Sequence, residues 1–283
     1  MTNRAAVLMR PGEIAMQQRP IPTPAPREVL VEVTSVGVCG SDVHWYEHGR
    51  IGDLVVRSPL VLGHECAGRV AATGEDVTKH AVGDRVCLEP GVPCGRCREC
   101  RAGRYNLCVD VAFFATPPVD GAFADFVTIH EDFAFALPDG MSDDVGALME
   151  PLSVGIWACR KAGITAGDRV LVTGAGPIGL LAMQVARAFG ATNVAIADVN
   201  EHRLSAARRM GATRVLRAGD GATGTFRYAN TYPAAIELAA TGRVDVAALI
   251  TGHYALEDTE RALLAGREDA ESIKVMVHPR ATG

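Results

Sequence analysis

DRVLVTGAGPIGLLAMQVARAFGATNVAIADVN, residues 168–200, reads as a β-branched apolar strand, a glycine turn, a helix and a second strand that ends at Asp198. Within it GAGPIG gives Gly174, Gly176 and Gly179 the G-x-G-x-x-G spacing, with Pro177 and Ile178 between the last two glycines. Glycines there let the backbone approach a pyrophosphate, which then sits on the helix N-terminus, and Asp198 stands where a ribose hydroxyl would donate to it. A carboxylate in that place repels a 2′-phosphate, so the pattern favours NAD over NADP. A tight strand-to-helix turn in any α/β protein carries the same glycines, and it is the placement of the acid that favours the dinucleotide.

Working outward, NEHRLSAARRMGA reads as a second helix with Asn200 as its N-cap and Gly211 beyond its end, and TRVL as a third strand. The sum is one βαβαβ half of a doubly wound sheet. Arg203, in that second helix, and Arg227, further on, join the glycine turn as cofactor-binding candidates. Upstream, from residue 28 to about 135, short alternating stretches such as VLVEVTSVGV, AGRVAATG, GDRVCLEP and AFADFVTIH are punctuated by Gly, Pro and Asp, which predicts an antiparallel, barrel-like domain. The fold class expected is therefore α/β plus β. Between the two regions, MSDDVGALMEPLSVGIWACRKAG predicts a helical run capped by Ser142 and stopped at Gly163. After the glycine-rich RAGDGATG come two helical stretches, around 233–241 and 257–266, and a final strand, IKVMV.

The 283 residues are 48% hydrophobic, enough for one large core or two ordinary ones, and the formal charge is −5 with basic residues scattered. That distribution offers neither a nucleic-acid face nor a polybasic membrane patch, and it leaves a small molecule as the expected partner. The opening MTNRAAVLMRPGEIAMQQRP breaks its apolar run at Arg10, Pro11 and Glu13, unlike a secretory signal, and no later stretch is apolar for long enough to span a bilayer. The expected location is cytoplasmic, where thiols stay reduced.

That expectation bears on VPCGRCRECRAGRYNLC, residues 92–108, which spaces Cys94, Cys97, Cys100 and Cys108 as C-x2-C-x2-C-x7-C. Reduced thiols so close can close a tetrahedral S4 shell around zinc, which holds a loop and leaves no position for substrate. The alternative is four free cysteines on an exposed loop, which would be an oxidation liability. A second set of potential ligands is dispersed: Cys39 in GVCGSDVH, His64 and Glu65 in LGHECAG, and Glu150 in MEPLSVG. Spacing alone leaves these open between an ordinary buried polar pair and a metal-ligand set. Cys66, Cys87 and Cys159 read as core residues.

Taken together, CGSDVH, GRIG, PLVLGHECAGRV, GDRVCLEPG, CGRCRECRAGRYNLC, FFATPPVDGAFADF, MEPLSVG, GAGPIG and FRYANTYPAAI resemble, in content and order, the zinc-dependent medium-chain dehydrogenases, and among them the sorbitol (L-iditol) and xylitol dehydrogenase branch. The resemblance implies a GroES-like catalytic domain over residues 1–150 that includes a structural zinc lobe, an inserted Rossmann domain over 151–230, and a return segment over 231–283. It implies two zinc ions per chain. The catalytic one would be held by Cys39, His64 and Glu65, with Glu150 binding directly or through water, and the structural one by Cys94, Cys97, Cys100 and Cys108. Ser41 would bond the substrate hydroxyl, His44 would pass its proton outward, and Asp42 would orient His64. The implied reaction is zinc-assisted hydride transfer from a secondary alcohol of a polyol to NAD, giving a ketose, in a homo-oligomer.

Two features depart from the branch. HWYEHG places Trp45 before Tyr46, the reverse of the order the branch more often shows. More consequentially, FRYANTYP follows GDGATG directly, although the resemblance places it at the end of a sixth strand. Six strands with crossovers need about 150 residues at roughly 25–30 per βα unit. Only 57 positions separate Asp168 from Thr225. A truncated Rossmann domain is expected, without the strand through which the family pairs. Two outcomes follow: an active polyol dehydrogenase, or a catalytically impaired zinc-binding remnant that lacks the nicotinamide half-site.

Overall fold

The computed structural model describes residues 2–217 and 228–280. It divides into two compact units, one of residues 1–150, 252–265 and 275–283, the other of residues 151–251 and 266–274.

In the first unit the strand Glu28–Gly37 is buried on both faces, which its near-continuous apolar run dictates. The sheet runs in the order Ala134–Ala136, Arg85–Leu88, Glu65–Thr73, Glu28–Gly37, Lys274–His278 and Ile250–Ala255, antiparallel from Ala134–Ala136 as far as Lys274–His278, with Phe126–His130 also antiparallel on Glu28–Gly37. The expected barrel is not closed. Glu65–Thr73 runs along one edge of Glu28–Gly37, but the other edge is shared, residues 28–32 pairing with Phe126–His130 and residues 36–37 with Lys274–His278, so the sheet branches instead of meeting itself. A separate sheet joins Glu13–Arg19, Asn3–Arg10 and Leu60–Val61. Val7, Leu8, Val33, Val36, Leu62, Leu88 and Phe123 fill the core, each fully buried side chain contributing about 1.5–3 kcal/mol.

The run expected between Ser142 and Gly163 is two helices, Asp143–Ala147 and Met149–Lys161. Ser142 caps the first, its Oγ accepting from the Val145 N–H at 3.2 Å. Pro151 explains the break: it has no N–H to give the Ala147 carbonyl, and its ring occupies that carbonyl's space.

In the second unit Arg169–Thr173, Asn193–Asp198 and Arg214–Arg217 form a parallel sheet in that order, joined by the helices Pro177–Ala188 and Glu201–Arg209. Asn200 caps the second helix, accepting from the N–H groups of His202 and Arg203 at 2.9 and 3.3 Å. Among the described residues no strand pairs with the outer edge of Arg169–Thr173, and Leu171 within it is 60% exposed.

The later elements are the helices Tyr232–Ala240 and Thr259–Glu268 and the strand Lys274–His278. The strand Ile250–Ala255 was not expected from the sequence. Residues 231–251 and 266–274, expected in the return segment, cluster instead with the second unit. Polar bonds hold them there: the Gln184 side chain accepts from Asp245 N–H at 2.8 Å and donates to its carbonyl at 3.3 Å, Asn200 Nδ2 donates to the Ala270 carbonyl at 3.2 Å, and Arg160 donates to that of Asn230 at 2.8 Å.

Candidate functional site

Cys39 is the N-cap of helix Gly40–His48, and Asp42, at the third position of that helix, turns back to accept the Cys39 N–H at 2.9 Å. Asp42 is wholly buried, and its other oxygen accepts the Gly63 N–H at 2.9 Å and lies 3.4 Å from His64 Nδ1. One carboxylate therefore fastens both ligand-bearing segments. Burial works against charge on either partner, but the attraction between Asp42 and His64, with the two backbone donors, outweighs it. Asp42 is held below the usual carboxylate range, and the His64 imidazole is pushed well above its ordinary value.

Donor atoms of Cys39, His64 and Glu65 lie within 4.8 Å of one another. Glu65 reaches this position because Gly37 stands opposite it in the ladder: a Cβ at residue 37 would lie 2.1 Å from Glu65 Oε2. Gly63, at φ +86°, makes the turn that delivers His64. The donor set fits zinc. A thiol, an imidazole and a carboxylate converge, and Asp42 at Nδ1 leaves Nε2 as the lone pair for a metal. Glu150 is buried at the start of Met149–Lys161 and stands outside the 4.8 Å group. Burial first, and then the charges of Cys87, Glu65 and Glu150, push the neighbouring Cys66 thiol far up.

Ser41 and His44 occupy i and i+3 of the helix that Cys39 caps, on one face. Ser41 is half-buried, and His44 is exposed with its ring stacked on His48 at 4.4 Å. Trp45 and Tyr46 turn the other way, into the core. The Tyr46 hydroxyl donates to Glu260 at 2.7 Å, and burial together with that carboxylate pushes the phenol up to about 12.

The thiols of Cys94, Cys97, Cys100 and Cys108 also lie within 4.8 Å of one another, with Cys97 and Cys100 sulfurs 3.4 Å apart. Zn–S bonds of about 2.3 Å set tetrahedral sulfur separations of about 3.8 Å, so the cluster fits a closed S4 zinc site. Backbone N–H groups prepare the thiolates. Cys97 accepts from Cys100 N–H, which brings its thiol down to about 7, whereas burial pushes Cys100 up to about 12. Glu89, which sequence reasoning passed over, is buried and accepts from the Tyr105 hydroxyl of this lobe at 2.7 Å. Burial pushes it up to about 7. An acid inside the apolar run VCLEP was the available signal.

In the second unit Gly174 adopts φ +91°, and a Cβ on Gly179 would stand 1.8 Å from the Gly174 carbonyl oxygen, so the turn admits glycine alone at both places. Gly176 caps helix Pro177–Ala188 without a side-chain bond, leaving the first-turn N–H groups around Ile178 for an anion. Asp198 is buried and accepts from Ala175 N–H at 2.6 Å and Asn200 N–H at 2.7 Å, tying the second strand to the glycine turn. Arg203 has a buried Nε with no hydrogen-bond partner, and its Nη1 lies 4.0 Å from the Cβ position of Gly176. An unmet guanidinium N–H beside a glycine-capped helix fits the phosphates of a dinucleotide. Arg227 lies outside the described residues.

The chain is similar to known proteins along nearly its whole length. The alcohol dehydrogenase GroES-like domain family matches residues 25–139, and the zinc-binding dehydrogenase family residues 177–265. Sorbitol dehydrogenase of Bacillus subtilis is 40% identical over 342 residues, spanning 98% of this chain and 97% of the relative. That of Bos taurus is 38% identical, spanning 97% and 96%. A D-xylulose reductase A of Neosartorya fischeri is 50% identical over 212 residues, 75% of this chain and 59% of the relative. Among solved structures, an Escherichia coli oxidoreductase of unknown specificity superposes with a TM-score of 0.92 at 34% identity, covering 98% of this chain and 99% of the other. L-idonate 5-dehydrogenase of the same species gives a TM-score of 0.91 at 26% identity, covering 98% of each. With relatives of this identity over nearly its whole length, the chain belongs to the zinc-dependent medium-chain dehydrogenases, oxidoreductases that use zinc and NAD(H), in the branch of sorbitol dehydrogenase and D-xylulose reductase.

Proposed function

We propose that the chain oxidises a secondary hydroxyl of a sorbitol-, L-iditol- or xylitol-like polyol to a ketose, with NAD as hydride acceptor. The observation that carries this reading is the buried Asp42 carboxylate, which joins the Cys39 N–H, the Gly63 N–H and the His64 ring and so fastens the two segments that bring Cys39, His64 and Glu65 together. Zinc bound by Cys39, His64 and Glu65, with Glu150 near, would supply Lewis acidity toward the substrate hydroxyl, and NAD would supply the acceptor carbon.

The chain's own residues do the rest. Asp42 keeps His64 in the tautomer that presents Nε2. Ser41 holds the substrate hydroxyl, and His44, one helical turn on and exposed, carries its proton toward solvent. Arg203 and the free N–H groups of the glycine turn take the pyrophosphate. Asp198 disfavours a 2′-phosphate beside the turn, so NAD is used in preference to NADP. A reducing cytoplasm suits a chain in which all eight cysteines are free.

A second reading, an impaired zinc-binding remnant, has one observation in its favour. The described parallel sheet has three strands with an exposed edge at Leu171, and the relatives align over 342 residues against the 283 of this chain. In this reading an internal segment of the coenzyme domain, with the family's pairing strand, is missing, and the nicotinamide ring is poorly held. A displacement of about 1 Å can cost on the order of a hundredfold in rate.

Zinc-loaded protein assayed for NADH and NADPH formation across sorbitol, L-iditol and xylitol separates the two. Turnover with NAD at ordinary enzymatic rates supports the first reading and refutes the remnant. Bound zinc without turnover on any of the three establishes the remnant.

A further inference from the structure

A third group of potential ligands lies in the first unit, apart from both zinc centres: Asp144, His253 and His278, whose donor atoms lie within 4.8 Å of one another. They are far apart in sequence and come from the helix Asp143–Ala147 and the neighbouring strands Ile250–Ala255 and Lys274–His278.

Their hydrogen bonds prepare them to bind a cation. His278 Nδ1 lies 3.1 Å from the Thr34 carbonyl. A carbonyl only accepts, so Nδ1 carries the proton and Nε2 keeps a lone pair. This is the backbone bond that characteristically orients a metal-binding imidazole. That Nε2 is 2.9 Å from His253 Nδ1 and 3.6 Å from Asp144 Oδ1, and His253 Nδ1 is 3.5 Å from Asp144 Oδ2. Metal–ligand bonds of about 2.0–2.1 Å place the corners of a tetrahedron about 3.3 Å apart, the middle of that range. The carboxylate is itself steadied by the buried Ser35, whose hydroxyl donates to Asp144 Oδ1 at 2.6 Å. The side chain of His253 is 56% exposed, which leaves access from solvent and a further position for water.

We propose that Asp144, His253 and His278 form a third metal site, open to solvent, for a divalent late transition cation. Two imidazoles and one carboxylate select zinc, nickel or copper over magnesium or calcium, which prefer all-oxygen shells. The ion clips the two strands that return late in the chain to the helix bearing Asp144, and so stabilises the first unit.

The test uses untagged protein washed free of loose metal, its tightly held zinc measured first. Titration calorimetry with Zn2+ then follows binding, and thermal melts follow stability. The expected result is one saturable equivalent beyond the tightly held metal, with a rise in melting temperature on adding Zn2+. His253→Gln, an exposed substitution, should weaken that binding at least about tenfold and abolish the rise, while leaving the tightly held zinc unchanged. No saturable equivalent, or the same affinity in His253→Gln, overturns the site and leaves a metal-free His–His–Asp hydrogen-bond network.

Discussion

The four-cysteine lobe and the Cys39 centre each bring together a group of potential metal ligands, by opposite means. In the lobe all four donors come from residues 94–108, three half-buried, and they are ordered by adjacent backbone N–H groups such as that of Cys100. In the Cys39 centre the donors come from residues 39, 64 and 65, and they are ordered by one fully buried carboxylate. A chelate closed within a short loop depends chiefly on its own backbone. A chelate assembled across the fold depends on whatever holds its segments in register. Changes at the second centre should therefore alter chemistry and metal affinity, and changes at the first should alter stability.

The largest effect expected is on the Cys39 centre. His64→Ala should lower kcat/KM for polyol oxidation on the order of a thousandfold, about 4 kcal/mol of transition-state stabilisation, with a comparatively small change in melting temperature. Steady-state kinetics and a thermal melt of the same preparation check this. A large loss of stability with activity preserved would reverse the contrast.

Asp42→Asn tests whether long-range ordering is what matters. It keeps the size but, with a single accepting oxygen, only one of the two backbone bonds, and it removes the charge facing His64, so zinc affinity at this centre should fall about 10–100-fold. Competition with a chromogenic chelator measures it, with zinc in the lobe as the internal reference. Equal affinity in the variant would mean that His64 is positioned without Asp42.

In the lobe, Cys100→Ser should remove one zinc equivalent and lower the melting temperature by roughly 5 °C, while the Cys39 centre keeps its metal. Elemental analysis beside calorimetry would show it. Unchanged zinc content would remove the closed S4 shell from consideration.

The smallest effect is a control for acid sensitivity, because thiolates and imidazoles also take up protons on acidification. Glu131 accepts from the N–H groups of Thr78 and Lys79 and from Arg27, and these bonds hold it down at about 2. A carboxylate depressed in the folded state stabilises above its unfolded value, near 4.5, and that stabilisation is lost as pH falls from there to about 2. Glu131→Gln should therefore melt below the parent at pH 7, and the difference should close between pH 4.5 and 2. A gap that stays constant over this range would show that the carboxylate's charge is not what stabilises.

Much of this was legible in short stretches of chain. GAGPIG followed by Asp198 marked the strand, turn and helix, because a glycine turn and an N-terminal anion site are properties of consecutive residues. Ser142 and Asn200 were legible as caps for the same reason. The break at Leu148 was legible in principle, since Pro151 denies its N–H to Ala147, but the apolar run on either side masked it. The strand Ile250–Ala255 was hidden by its mixture of Gly, His and Thr, and only its neighbours in the sheet make it a strand.

The sequence by itself determined the cysteine lobe, the glycine turn and the family motifs, because each is a spacing measured along a covalent chain of known geometry. Only the tertiary structure decided that Cys39, His64 and Glu65 converge while Glu150 stands outside that group, that the sheet branches and does not close, and that Asp144 meets His253 and His278. Those outcomes rest on strand register, on Gly37 leaving room for Glu65, and on which edge of Glu28–Gly37 each late strand occupies. Contacts between residues tens or hundreds of positions apart carry no mark in local spacing, since the loops between them leave many registers open until the core is packed.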